Sequence, residues 1–133
     1  MRALELMRSH IVKTTPDATL LEAVDMMDLY QVNGLPVVDE TGRLVGMLME
    51  GDVFRALFAD AVAAPIARPE ELRVGDFMTS PALSVPETME VRAVAELMRT
   101  RHLKRLPVLA EDGQIVGMLS RVEVCQALLE GNL

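Results

Sequence analysis

The chain has one cysteine and two histidines in 133 residues, and each scarcity removes a class of chemistry. Cys125 has no partner for an internal disulfide, and its place among Val124, Ala127 and Leu128 predicts an inert thiol in a helix core. His10 and His102 lack metal-ligand spacing, and there is no Gly-rich phosphate loop or Ser-His-Asp order. With no base beside Cys125 in the sequence, the chain is not expected to be an enzyme. No apolar run approaches the roughly 18 residues of a membrane span, and the N-terminus lacks a basic-then-apolar signal pattern. A cytoplasmic protein without a membrane partner is expected. The net charge of −7 argues against a nonspecific nucleic-acid surface, which requires a basic face.

What is present is a duplication. Leu106-Pro107-Val108-Leu109-Ala110-Glu111-Asp112-Gly113-Gln114-Ile115-Val116-Gly117-Met118-Leu119 aligns without a gap on Leu35-Pro36-Val37-Val38-Asp39-Glu40-Thr41-Gly42-Arg43-Leu44-Val45-Gly46-Met47-Leu48, at a spacing of 71. A period of that size in so short a chain means two half-domains that lean on each other rather than two independent cores. Half of the residues are apolar and 25% are charged, an ordinary globular balance. Residues 1–66 carry five bases and ten acids, and residues 67–133 eight and ten; Arg99, Arg101, Lys104 and Arg105 fall within seven positions, with His102 among them.

In chain order, Leu4, Leu6 and Met7 form an apolar lead-in, and Ile11 to Thr15 reads as a first strand stopped by Pro16. Thr19 and Glu22 have capping-box spacing ahead of Leu20, Ala23, Val24 and Met27 at helical period. That helix is expected to end at Asn33-Gly34, with glycine as the left-handed stop. Leu35 to Asp39 and Arg43 to Met49 predict a hairpin, and Glu50-Gly51-Asp52 opens a second helix through Val53, Leu57 and Phe58. Ala59 to Arg73, broken by Pro65 and Pro69, reads as a connecting stretch. The second unit repeats the first. Val74 to Met78 mirrors the lead-in, Ala82 to Val85 the first strand and Thr88 to Arg101 the first helix. A hairpin over Leu106 to Leu119 and a helix from Arg121 to Glu130, capped by Ser120 and Glu123, complete it. Aligning Pro16 with Pro86 gives a spacing of 70, so one residue is expected to enter between Arg99 and Lys104. The domains expected are a first repeat at residues 1–60, a linker at 61–73 and a second repeat at 74–133. Six methionines, Met26, Met27, Met47, Met49, Met98 and Met118, read as flexible core filler.

Two ordered copies of a Pro-bounded strand, a hydrophobic-Pro-Val strand, a Gly turn and Gly-x-x-(Ser/Thr)-x-x-Asp resemble a tandem pair of CBS domains, named for cystathionine β-synthase. The resemblance covers nearly the whole chain. It implies an α+β fold of two strand-helix-strand-strand-helix repeats, related by a pseudo-two-fold axis with their small sheets packed together. It also implies clefts between the repeats that take adenosine-containing ligands, among them AMP, ADP, ATP or S-adenosylmethionine, and a homodimer. No covalent cofactor and no metal site are expected.

The motif's chemistry can be argued separately. A helix N-terminus presents unpaired N–H groups and partial positive charge to a phosphate, and a carboxylate one turn on can accept both ribose hydroxyls. Repeat one reads Gly46-Met47-Leu48-Met49-Glu50-Gly51-Asp52, keeping the acid but not the hydroxyl. Repeat two reads Gly117-Met118-Leu119-Ser120-Arg121-Val122-Glu123, keeping the hydroxyl with an acid one methylene longer. The positions before the hydrophobic-Pro strand, which the resemblance directs at phosphate, are Lys104-Arg105 in repeat two and Asn33-Gly34 in repeat one. The nucleotide-binding candidates are therefore Lys13, Asp52, Lys104, Arg105, Ser120 and Glu123. Ser120 and Glu123 equally fit a mutual helix cap, and Lys104 and Arg105 a solvated helix end. Two functions stay open: a regulatory module sensing an adenine nucleotide or adenosyl compound, whose target is a separate chain, or a ligand-free dimeric interaction scaffold. Leu57, Phe58, Leu128 and Leu129 are the candidates for the dimer surface.

Overall fold

The structure, a computed structural model, describes residues 1–61 and 66–132. The chain divides into two compact units that do not coincide with the sequence repeats. One unit is Val12–Ala82, and the other joins Met1–Ile11 to Leu83–Leu133. Each repeat's lead-in thus belongs to the unit formed by the other repeat.

In the Val12–Ala82 unit, helix α2 (Leu20–Tyr30) is followed by strands β1 (Gly34–Val38) and β2 (Leu44–Met49) and helix α3 (Glu50–Ala61). Thr19 caps α2 by accepting from the Glu22 amide at 3.1 Å. The stop is Gln31, in the left-handed region at φ 55°, and not Gly34, which already lies in β1. β1 and β2 pair antiparallel with Leu35 opposite Leu48 and an irregularity between Val37 and Val38. Their turn is fixed by Asp39 Oδ1, which accepts from the amides of Thr41 and Arg43, and by Gly42 at φ 88°. The expected first strand is reduced to one parallel bridge, Thr14 to Val37. All five β1 residues are buried, and the strand reads as a continuous apolar run. Leu20, Ala23, Met27, Leu35, Val37, Leu48 and Val53 form the core with Val74, which the second repeat's lead-in supplies.

The other unit begins with the short helix α1 (Ala3–Leu6), then β3 (Val85–Pro86), α4 (Val91–Arg101), β4 (Arg105–Leu109), β5 (Ile115–Ser120) and α5 (Arg121–Leu129). β3 runs parallel to β4, which pairs antiparallel with β5, giving the order β3-β4-β5. Ala3 joins Val85, Val91, Val94, Met98, Leu106, Val108, Leu119 and Val124 in this core. Helix α4 starts at Val91, not Thr88, and stops at His102 in the left-handed region at φ 54°.

These features overturn the expected one-residue insertion. Thr14 bridges Val37 as Val85 pairs with Val108, Leu35 meets Leu48 as Leu106 meets Leu119, and Gln31 ends its helix as His102 ends the other. The spacing is 71 in every case. Pro16 and Pro86 are simply not equivalent: Pro86 is inside β3, whereas Pro16 follows the bridging Thr14 by two positions.

The lead-ins explain one glycine in each copy. Arg8 bridges Met118 in one unit and Thr79 bridges Met47 in the other. A Cβ on Gly117 would come within 3.0 Å of the Arg8 carbonyl oxygen, and one on Gly46 within 2.9 Å of the Thr79 carbonyl oxygen. Of the methionines expected in the core, Met27 and Met98 are buried and Met26, Met47, Met49 and Met118 are half-buried. Cys125 is exposed, contrary to the expectation of a core thiol, because α5 turns Val124 and Ala127 inward instead.

Candidate functional site

The β5–α5 junction gathers four of the six candidate residues. Arg105 in β4 is the register partner of Ser120 at the end of β5. The Lys104 carbonyl accepts from the Arg121 amide at 2.9 Å, which draws the start of β4 against the first turn of α5. Ser120 caps that helix: its Oγ accepts from the Glu123 amide at 3.3 Å, while Glu123 Oε1 accepts from the Ser120 amide and hydroxyl, both at 2.9 Å. This is the reciprocal cap that the Ser-x-x-Glu spacing permits.

Glu123 is nevertheless more than a cap. It is buried at 7% exposure, and its Oε2 accepts from Arg8 Nε at 3.0 Å. Three donors therefore hold this carboxylate, as a buried anion requires. Arg8 was invisible as a site residue in the sequence, where the lead-in reads only as apolar. The equivalence of Arg8 with Thr79, and of Glu123 with Asp52, is the signal that would have exposed it. Lys104 and Arg105 make no ion pair among the described residues, whereas Glu123, the acid in the first turn of α5, is held by Ser120 and Arg8.

The equivalent junction of the Val12–Ala82 unit is built differently. Gly34 is opposite Met49, where the other unit has Arg105 opposite Ser120. A Cβ on Gly34 would meet Met49 Sδ at 2.6 Å, so the thioether lies over the space that a side chain there would need. Asp52, in the first turn of α3, pairs with Arg55 Nη2 at 2.5 Å and is partly exposed. Lys13 is exposed beside the bridging Thr14. Asn33, the counterpart of Lys104, has a buried Oδ1 with no hydrogen-bond partner among the described residues. The structure thus brings Lys104, Arg105, Ser120 and Glu123 together in one unit, and Lys13 and Asp52 belong to the other.

Among the described residues there is no cluster of three metal-ligating side chains, and no helix is long and apolar enough to cross a membrane.

Comparison with known proteins agrees with this architecture. The chain is 28% identical over 142 residues to the chloroplastic CBS domain-containing protein CBSX1 of Arabidopsis thaliana, covering 91% of this chain and 59% of that protein. It is 29% identical over 119 residues to an inosine-5'-monophosphate dehydrogenase of Methanocaldococcus jannaschii, covering 90% of this chain but 22% of the enzyme. The chain therefore spans less than two thirds of the length of either curated relative. Among solved structures, CBSX2 in complex with AMP superposes with a TM-score of 0.84 at 28% identity, covering 99% of this chain and 98% of that one. The CBS domain pair of protein MJ0100, in complex with 5'-methylthioadenosine and S-adenosyl-L-methionine, has the same fold at TM-score 0.81 and 21% identity, covering 100% and 98% of the two chains. The CBS domain profile matches residues 3–59 and again 74–130, the same spacing of 71 that the bridges and helix stops obey. The chain belongs to the CBS domain family, as a tandem pair.

Proposed function

We propose that the chain is a regulatory module that binds an adenine nucleotide or adenosyl compound, of the class of AMP, ADP, ATP or S-adenosylmethionine. The observation that carries this reading is the pair of unpartnered cations, Lys104 and Arg105, held beside the N-terminus of α5 with Ser120 in register. A phosphate there meets positive charge from side chains and helix alike. The likeness to CBSX2 in complex with AMP over nearly the full chain supports the choice of ligand class. Ligand binding regulates only if the module has two arrangements with unequal affinity, which would bias a separate protein or a second copy of this chain. The module is cytoplasmic and non-enzymatic in this proposal, and it works as a homodimer.

Calorimetry of the purified protein with AMP, ADP, ATP, NAD and S-adenosylmethionine tests the reading. Micromolar or tighter binding of at least one adenosine-containing compound is expected. A second reading, a ligand-free interaction scaffold, draws on Glu123 being occupied by Arg8 and Ser120 and on Met49 standing in place of a hydroxyl. Absence of heat and of thermal shift with every compound would select it.

A further inference from the structure

The acceptor sites of Glu123, the acid of the second repeat's motif, can be accounted for atom by atom. Each carboxylate oxygen offers two. Oε1 has both filled within the helix cap, by the Ser120 amide and the Ser120 hydroxyl, each at 2.9 Å. Oε2 has one filled among the described residues, by Arg8 Nε at 3.0 Å. The group therefore keeps one open site while Arg8 is in place, and two, both on Oε2, once it has moved away. The Ser120 hydroxyl has no proton left for a ligand, because it donates to Oε1 and accepts from the Glu123 amide at 3.3 Å.

The arginine side chain can leave while its backbone stays. It is 79% exposed against 9% for the carboxylate side chain, so the guanidinium lies on the water side of the acid. The Arg8 amide donates to the Met118 carbonyl and the Met118 amide to the Arg8 carbonyl, both at 2.9 Å. Rotamer changes at Arg8 thus release the acid without undocking the lead-in from β5. The buried carboxylate cannot then stand bare, since an unpaired buried anion is strongly disfavoured. It exchanges one donor for others. The first repeat is arranged otherwise. Thr79 occupies the position equivalent to Arg8, and Asp52, with its side chain 45% exposed, pairs with Arg55 of its own helix, two groups that water already solvates.

We propose that Arg8 sets the sugar selectivity of the site in the second repeat by competing with a ribose for Glu123. The two neighbouring hydroxyls of a ribose need two acceptor sites and find them on Oε2 only when Arg8 has swung out. A 2′-deoxyribose needs one and finds it with Arg8 still paired. Only the ribonucleotide must therefore break the contact between Arg8 and Glu123, and Arg8 narrows the preference for ribose that the carboxylate alone would show. This inference rests on the nucleotide-binding reading above and adds which residue governs its sugar.

Calorimetry of the full chain with AMP and 2′-deoxy-AMP tests it. The readout is the ratio of the two affinities, in which the shared phosphate and adenine cancel. Arg8→Ala, with folding checked by circular dichroism, should tighten AMP about fivefold and leave 2′-deoxy-AMP within about twofold of the parent. Arg8→Lys, which returns a charge to the acid, should give a ratio between those of Arg8→Ala and the parent. In the parent the ratio should also rise with salt, because screening weakens a pair whose arginine is exposed, and in Arg8→Ala it should be flat. A ratio that Arg8→Ala leaves unchanged would overturn the role of Arg8 and leave nucleotide binding standing. Equal losses of both nucleotides would overturn it as well, by making Arg8 a holder of phosphate. Should the variant fail to fold, a parent ratio that is flat in salt overturns the role instead. Absence of binding by parent and variant alike would overturn it together with the reading of a nucleotide site.

Discussion

Arg8 Nε donates to Glu123 Oε2 at 3.0 Å across 115 positions of sequence, and it ties the first segment of the chain to the acid of the second repeat's motif. The arginine is 79% exposed along its side chain and the carboxylate 9%, so one partner bears the desolvation and the other supplies the compensation. Glu123→Ala removes the cap and this contact together and should lower stability by about 1–3 kcal/mol in urea unfolding. Asp52→Ala removes a pair between two partly exposed groups and should stay within about 0.5 kcal/mol. Equal losses for the two would contradict the difference in burial.

Arg105→Ala should weaken nucleotide binding about tenfold or more, since a charge-assisted contact to phosphate contributes roughly 1.5–3 kcal/mol. The loss should be larger for ATP than for adenosine and should shrink in high salt. Asp52→Ala should act through ribose, costing ribonucleotides more than their 2′-deoxy forms. Calorimetry in which Arg105→Ala binds as the parent does while Asp52→Ala binds nothing would move the principal site to the first repeat.

Gly117→Ala and Gly46→Ala each force a Cβ against a carbonyl of the neighbouring lead-in and against a methionine side chain. Because backbone cannot yield as a flexible side chain does, each should destabilise by about 1–3 kcal/mol, read from the shift in the urea midpoint. A neutral result at both positions would show that the lead-ins are held loosely.

Asp39 is held below its ordinary value of 3.8, first by the Thr41 hydroxyl and then by the Arg43 amide. A carboxylate depressed in the folded state contributes stability that is present above the unfolded value and is lost as pH falls through the folded one. The melting temperature of the parent should therefore exceed that of Asp39→Asn at pH 7. The gap should close on acidification below about pH 4, the usual carboxylate range. A gap that widens in acid would reverse the sign of the argument.

The hairpins were legible because their signals are local: an apolar run, a turn with Asp and Gly, a second apolar run. The Ser120 cap was legible for the same reason. The stop of α2 was not, since Gln31 adopts a left-handed conformation that its side chain does not advertise, whereas α4 ends at Arg101 as expected. The start of α4 was read at Thr88 instead of Val91, and matching prolines produced the false insertion, whereas pairing geometry sets Pro86 beside Leu109 within a strand. Neither the contact of Arg8 with Glu123 nor the supply of Ala3 and Val74 to the opposite cores leaves any mark in composition, because each joins residues far apart along the chain.

The exchange of lead-ins also sets an order of events during synthesis. Residues Val12–Ala82 are contiguous and hold their own core, so that unit can close as soon as its last residue clears the ribosome. Met1–Ile11 emerge before that unit yet have no docking surface until β4, β5 and α5 follow them out. A segment made before the first unit is thus placed after it. Ala3, fully buried in the finished core, waits exposed through the translation of the whole first unit.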